Sequence, residues 1–266
     1  MISSEEIQRG LRTTFIGKSV ETFDMIDSTN AAAKKLAERG APEGMAVIAE
    51  YQTDGRGRFN RKWYGEAGKN ILLSLILRPH DKQTTPLLTY LTALCAAGAV
   101  EGITRMTVEC KWPNDLLMNE RKFCGILLES SSKLAPRDSS KRESAIDFVV
   151  IGIGINVNQE KFPADLHQTT TSLKIECGRD IDRVSLVRDF FERLERGYLQ
   201  FQQSGTDGIL SQWKKKCRTL GKEISVEQSG KILRGKAIDL DADGALIIEG
   251  HERRTRVFAG DVRVLN

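Results

Sequence analysis

An α+β fold with its helices gathered on one face of a sheet, followed by a small barrel-like β module, is the architecture this sequence predicts. Two observations carry it. Apolar alternating runs in the middle of the chain follow one another as hairpins, without strand–helix–strand repetition. From Gly221 the texture changes to short alternating runs, "EISVE", "ILRGKAIDL", "ALIIE" and "TRVFAGDVRVL", separated by "QSG", "DADG" and "GHE". At 266 residues the chain has room for one sizeable core and one extra module, since domains run roughly 100–200 residues. The expected division is 1–218 and 219–266.

The elements follow in order. "EEIQRGL" near the amino end is a short helix capped by Ser4. "VETFDMI" (20–26) alternates as a strand and runs through "DSTN" (27–30) into "AAAKKLAERG", a helix capped by Ser28 or Thr29 and stopped at Gly40. "MAVIAEYQ" (45–52) and "NILLSLIL" (70–77) are strands on either side of a glycine-rich loop. "TPLLTYLTALCAAGAVEGI" (85–103) has Thr85 at the N-cap and Pro86 at the first helical position, and its continuous apolarity marks a buried helix. "VECKW" (108–112) is a strand, and "LLM" and "FCGILLES" form a hairpin around Asn119, Glu120 and Arg121. "SSKLAPRDSSKRESA" (131–145) is the polar tip of the next hairpin, whose return strand is "IDFVVIGIGINV". Helices at 185–203 and 206–217 complete the first unit.

Composition excludes several classes. With 40% hydrophobic and 29% charged residues the chain is no disordered polymer. Its longest apolar runs, "ILLSLIL" and "FVVIGIGINV", fall short of the roughly 20 residues that span a bilayer. The amino end carries two glutamates and no apolar core, unlike a signal peptide, so a cytoplasmic protein without a membrane partner is expected. Cys95, Cys110, Cys124, Cys177 and Cys217 are odd in number and irregularly spaced, which points to reduced thiols. Without CxxC or HExxH, and with three histidines, no protein-built metal site is expected; a metal arrives with a substrate. The net charge of +4 is too mild to imply nucleic acid, and residues 222–266 balance eight Lys/Arg against eight Asp/Glu.

Three look-alike motifs fail. "GKS" (17–19) lacks the phosphate-loop glycine, because Arg12 stands there. "GIGIN" (152–156) has Val157 at the third glycine position of a dinucleotide fingerprint, and "DLDADG" (239–244) has Gly250 where a calcium loop needs glutamate. Both read better as β-turns. No serine or cysteine sits in a nucleophile elbow, so covalent catalysis has no candidate.

Other motifs survive. "YQTDGRGRFNRKWYG" (51–65) is either an exposed basic loop or a ligand loop in which Gly55 and Gly57 permit close backbone approach and Arg56, Arg58, Arg61 and Lys62 offer cationic donors for carboxylate or phosphate. Trp63 adds a flat face for a purine. In "KWPNDLL", Pro113 holds Asn114 and Asp115 at a turn, where Asp115 either meets Mg2+ or a substrate group or makes an Asx-turn. Lys122 enters an apolar strand, as a solvated edge residue or an inward phosphate clamp, and Gly125 leaves room for a ligand against that strand.

"DSTN", "EYQ", "GRGRFNRKW", "KWPND", "RKFCGIL" and "GIGINVN", in that order and spacing, closely resemble the biotin protein ligases. The resemblance runs from about residue 20 to the end. It implies a mixed sheet related to class II aminoacyl-tRNA synthetases and lipoate ligases, an SH3-like C-terminal barrel, and a two-step reaction. Biotin is activated by ATP to biotinyl-5′-AMP, with Mg2+ carried by the nucleotide, and the biotinyl group passes to a lysine of a biotin carboxyl carrier domain. By matching positions it implies that Ser28, Thr29, Asn30, Gln52, Arg56, Gly57, Arg58, Lys122 and Gly125 contact biotin or the adenylate. Trp63, Asn114, Asp115 and Asn156 serve ATP, with Arg58, Arg61 and Lys62 near its phosphates, and Mg2+ belongs near Asp115.

Within that reading Lys122, Arg58 and Asp115 carry the chemistry. Lys122 spans the carboxylate and α-phosphate, Arg58 stabilises charge developing there, and Asp115 positions metal or helps deprotonate the carrier lysine. The glycine-rich loop closes over an intermediate that water destroys. Many relatives carry a winged helix–turn–helix domain ahead of the ligase; this chain starts with a short helix, so DNA binding is not expected. Related ligases often dimerise through a sheet edge, which leaves a homodimer open. The rival readings are a lipoate–protein ligase, and a non-enzymatic regulator or nucleic-acid-binding protein.

Overall fold

Helix α2 (Thr29–Glu38) crosses between β1 (Val20–Ile26) and β2 (Ala46–Gln52), and the two strands therefore pair in parallel, Val20 opposite Ala46. Every other pairing in the sheet is antiparallel. β3 (Ile71–Leu77), β7 (Ala145–Ile155), β6 (Arg121–Lys133), β5 (Asp115–Met118) and β4 (Glu109–Lys111) complete the order β1-β2-β3-β7-β6-β5-β4. The structure, a computed structural model, describes residues 1–80, 85–133, 145–204, 207–228, 230–250 and 253–265.

Period-two alternation divides the sheet into two faces. Leu73, Leu75, Leu77, Ile151, Ile153 and Ile155 join the larger core with residues of α1 (Ser4–Gln8), α3 (Leu88–Thr104) and α5 (Arg183–Ser204). Each such aliphatic side chain stabilises the fold by about 1.5–3 kcal/mol on leaving water. Val47, Ile76, Phe148 and Val150 face the other way and pack with Ala33 and Ala37 of α2. That helix covers one end of its face, and the rest of the face is the floor of a cleft.

The C-terminal strands β8 (Glu223–Gln228), β9 (Lys231–Leu240), β10 (Leu246–Glu249), β11 (Arg254–Val257) and β12 (Asp261–Val264) form a second sheet in the order β11-β10-β9-β8-β12. It follows α6 (Asp207–Lys216). Its Ile224, Val226, Ala237, Leu246 and Val262 are continuous with the large core. "DADG" is a β-turn, with the Gly244 N–H donating to the Asp241 carbonyl. Its tip docks the module, because the Gly244 carbonyl accepts from Tyr90 Oη at 2.6 Å and Trp112 Nε1 at 3.3 Å.

Several local expectations shift. Ser3, not Ser4, caps α1, in a capping box with Glu6. Ser28 is the cap of α2. Thr85–Leu87 form a 3-10 turn, and the α-helix begins only at Leu88. The Thr85–Thr104 segment is, among the described residues, the one helix that matches a membrane span by length and composition, and 67% of its apolar window is buried inside the fold. "GIGIN" is not a turn; its glycines lie within β7. A short helix missed in the sequence, α4 (Leu173–Cys177), starts at the Ser172 cap and ends on Gly178 at φ +69°. The hairpin tip read over 131–145 lies outside the described residues at 134–144, as do Ser229, His251 and Glu252 of the barrel turns and Thr206 at the start of the second C-terminal helix. All five cysteines are free, and burial pushes the thiols of Cys95 and Cys110 up to about 12.

Candidate active site

The cleft has a volume of about 900 Å3, and its floor is bare sheet. Gly154 of β7 stands opposite Gly125 of β6, and Gly152 opposite Leu127. A Cβ at Gly154 would lie 2.6 Å from the Trp63 ring, and one at Gly125 3.0 Å from it. The indole of Trp63 therefore lies across the two glycines. A Cβ at Gly125 would also meet the Lys122 stem at 3.2 Å. The Trp63 Nε1 is buried without a hydrogen-bond partner, and Lys122 Nζ stands 5.5 Å from the ring centroid.

One end of the cleft is neutral. The N-terminus of α2 brings Ser28 and Thr29 to its wall. Ser28 Oγ accepts from the Ala31 N–H, which leaves its hydroxyl hydrogen free. Gln52 Oε1 accepts from both the Thr29 N–H at 2.7 Å and the Thr29 hydroxyl at 3.0 Å, so its amide NH2 remains free to donate. The opposite end is cationic. Arg58 lies 3.3 Å from Asn114 Oδ1, and its guanidinium is pushed below its ordinary range by burial, against the pull of Asp115. Asn114 Nδ2 donates to the Ile126 carbonyl at 2.7 Å, which locks the turn after Pro113.

Between these ends Lys122 Nζ lies 2.7 Å from Asp115 Oδ1, an ion pair outside hydrogen-bond angles. Asn156 Nδ2 donates to the Thr171 carbonyl, and its Oδ1 is buried without a donor. The loop Gly55–Trp63 is held by the Gly57 N–H on the Arg61 carbonyl and the Trp63 N–H on the Gly55 carbonyl. Phe59 and Asn60 both turn through φ +56°. Arg56 pairs with Asp54, and Arg61 with Asp261 of the C-terminal module at 2.8 Å.

Every site residue named from the sequence, Ser28 to Asn156, lines this one cleft. Asn30 has both ends of its amide engaged by protein groups. The neutral–cationic arrangement accommodates a ligand with a polar uncharged ring at one end and anionic groups at the other.

Two family profiles match the chain, the Biotin/lipoate A/B protein ligase family over residues 22–156 and the Biotin protein ligase C terminal domain over residues 219–264. The chain belongs to the biotin/lipoate A/B protein ligase family. Among its relatives is the Bifunctional ligase/repressor BirA of Bacillus spizizenii, 35% identical over 99% of this chain and 79% of that protein. The Biotin--[acetyl-CoA-carboxylase] ligase of Mycobacterium tuberculosis is 29% identical over 96% of this chain and 94% of that one. The solved biotin protein ligase from Aquifex aeolicus in complex with biotin and ATP superposes with a TM-score of 0.79 at 26% identity, covering 93% of this chain and all of that one.

For this member of the biotin/lipoate ligases, sequence reasoning overlooked several cleft residues. Gly152 and Gly154 carried a readable signal, alternate glycines on one face of a strand. Asp261 and Arg263 of β12 also reach the cleft. Nothing local marks them, since Asp261 meets Arg61 across 200 residues of chain.

Proposed function

We infer that this chain is a biotin–protein ligase that makes biotinyl-5′-AMP from biotin and ATP and passes the biotinyl group to a lysine of a biotin carboxyl carrier domain. The single observation that carries the residue assignments is the convergence, in one cleft, of a neutral donor–acceptor end and a cationic end, joined at Lys122. Ser28, Thr29 and Gln52 serve the uncharged ring of biotin. Arg58, Arg61 and Lys62 serve the triphosphate, and Trp63, Asn114 and Asn156 the rest of ATP.

In the first step a biotin carboxylate oxygen attacks the α-phosphorus. The bond from phosphorus to the bridging oxygen breaks, and pyrophosphate leaves. Lys122 spans the two anionic reactants, whose repulsion is the main obstacle to their alignment. Arg58, already desolvated, neutralises charge developing on the α-phosphate oxygens. In the second step the carrier amine attacks the acyl carbon, its proton is lost, and AMP departs.

Among the described residues no group of three His, Cys, Asp or Glu side chains is placed to hold a metal. Asp115, whose Oδ1 pairs with Lys122 Nζ at 2.7 Å, has a second carboxylate oxygen that fits Mg2+ held mainly by phosphates. Asp115 is the residue that would hold the ion, which supplies neutralisation of phosphate charge when bound. The carrier, or a second copy of the chain as a homodimer, is proposed to meet the free edge of β1, where Met25 is exposed. A cytoplasmic location belongs to the same proposal.

The test is exchange of labelled pyrophosphate into ATP, run with biotin and with lipoate. Exchange with biotin and transfer to an apo carrier domain are expected. Exchange with lipoate alone rejects the reading.

A further inference from the structure

Two loop segments that wall the cleft are tied to one buried side chain. The glycine-rich loop leads out through Glu66 to Asn70, and the segment 160–171 brings Phe162, Leu166 and Thr170 to the cleft. Gln159 lies between them, 0% exposed, and does not line the cleft itself. Its Oε1 accepts from the Glu66 N–H at 3.0 Å and from Asn70 Nδ2 at 2.5 Å. Its Nε2 donates to the Lys161 carbonyl at 2.8 Å, and its backbone carbonyl accepts from Ser172 Oγ at 2.5 Å. Both ends of the 160–171 segment therefore meet at Gln159.

The backbone fixes which way that carboxamide lies. A backbone N–H only donates and a backbone carbonyl only accepts, so Oε1 belongs to Glu66 and Nε2 to Lys161. Asn70 is fixed in the same way, because its Oδ1 accepts from the Val157 N–H at 3.0 Å. Asn70 is 1% exposed, so solvent replaces neither amide. If Lys161 moves away alone, a buried N–H is left without an acceptor, and stranding such a group costs more than a hydrogen bond contributes. The cheaper movement carries Gln159 along, and with it Glu66, which follows Trp63 by three residues.

We propose that Gln159 is a positioning residue that couples the two walls, so that closing of the glycine-rich loop over biotin also fixes the 160–171 wall before any nucleotide is present. The inference rests on the biotin-ligase reading of the cleft and adds a mechanical link between its walls. One hydrogen bond joins the carboxamide to Glu66 and one to Lys161, so the coupling should amount to about fivefold, the worth of a single such bond.

Limited trypsin digestion of the full chain, with and without saturating biotin, follows both walls at once. Cleavage after Arg56, Arg58 and Arg61 reports on the loop, and cleavage after Lys161 on the other wall. Each rate follows the population of the open form, and taking the ratio with and without biotin cancels a general change in stability. In the unaltered chain biotin alone should slow cleavage at Lys161 by about fivefold, together with the loop sites. In Gln159→Met the loop sites should still slow, while the effect at Lys161 falls below about twofold. Glu66→Pro removes only the N–H on the loop side and leaves the buried amide intact; it should show the same separation, and it carries the test if the first variant does not fold. An effect at Lys161 that persists undiminished in the variants overturns the coupling. Calorimetry on the same samples separates the remaining outcomes. Biotin binding without slowing at Lys161 in the unaltered chain overturns the coupling alone, whereas no biotin binding overturns the underlying function and the coupling with it.

Discussion

The ammonium of Lys122 stands 2.7 Å from Oδ1 of Asp115, on the wall where the neutral and cationic ends of the cleft meet. Asp115 thus holds the lysine at the place where a carboxylate and a phosphate must be brought together. Lys122→Ala should lower biotin-dependent pyrophosphate exchange by about 10²–10³, the usual cost of removing one charge-stabilising donor. Exchange within tenfold of the unaltered enzyme argues against the spanning role.

Arg58 is proposed to retain the intermediate as well as to neutralise charge. Arg58→Gly should let biotinyl-5′-AMP escape, seen as biotin label on lysines of a bystander protein mixed with the reaction. Label confined to the carrier domain would show that Arg58 does not retain the intermediate.

The Gly154–Trp63 contact leaves no room for a methyl group, since a Cβ would sit 2.6 Å from the indole. Gly154→Ala should displace Trp63 and raise the KM for ATP while changing thermal stability little, because the clash opens toward the cleft rather than the core. Quenching of tryptophan fluorescence by ATP is the check: an unchanged signal and KM count against the floor assignment.

Glu195 links stability to pH. Burial alone would raise its carboxyl, but the N–H groups of Phe15, Ile16 and Thr14, with the Thr14 hydroxyl, outweigh burial and hold it below the usual glutamate range. A carboxyl lowered on folding stabilises the native state above its unfolded value and loses that contribution as pH falls through the lowered one. Glu195→Gln should therefore cost about 1–3 kcal/mol near pH 7 and flatten the acid limb of the stability curve below about pH 4.5. Urea melts from pH 7 to pH 3 measure both, and parallel curves for the two proteins reject the linkage.

Arg61–Asp261 ties the loop to the C-terminal module through an exposed arginine and a half-buried aspartate, a largely solvated pair that contributes about 0–1 kcal/mol. Opening of the loop is thus cheap. Tryptic cleavage after Arg56, Arg58 and Arg61 should slow when biotin and ATP are added together, and equal rates with and without them contradict a closing loop.

Much of this protein was legible in its chain because the relevant signals are local. Alternation marked β1 and the barrel strands, continuous apolar runs marked β2 and β3, and the Ser28 cap and Gly40 bounded α2 within a residue or two. The cationic and amide side chains of the cleft were also readable, since adenylation demands those residue types wherever they sit.

Other features depended on the order in which strands pair. Placing β7 between β3 and β6 sets Ser74, Gly152 and Leu127 side by side on one face. That juxtaposition brings Asn30 within hydrogen-bond reach of both Ser74 and Glu129. It also gives Gly125 and Gly154 their use as the bed of Trp63. Side-chain period and capping act over a few residues and leave their mark in neighbouring letters. Hydrogen-bond polarity and steric room act between segments tens to hundreds of residues apart, and they exist only once the sheet has chosen its neighbours.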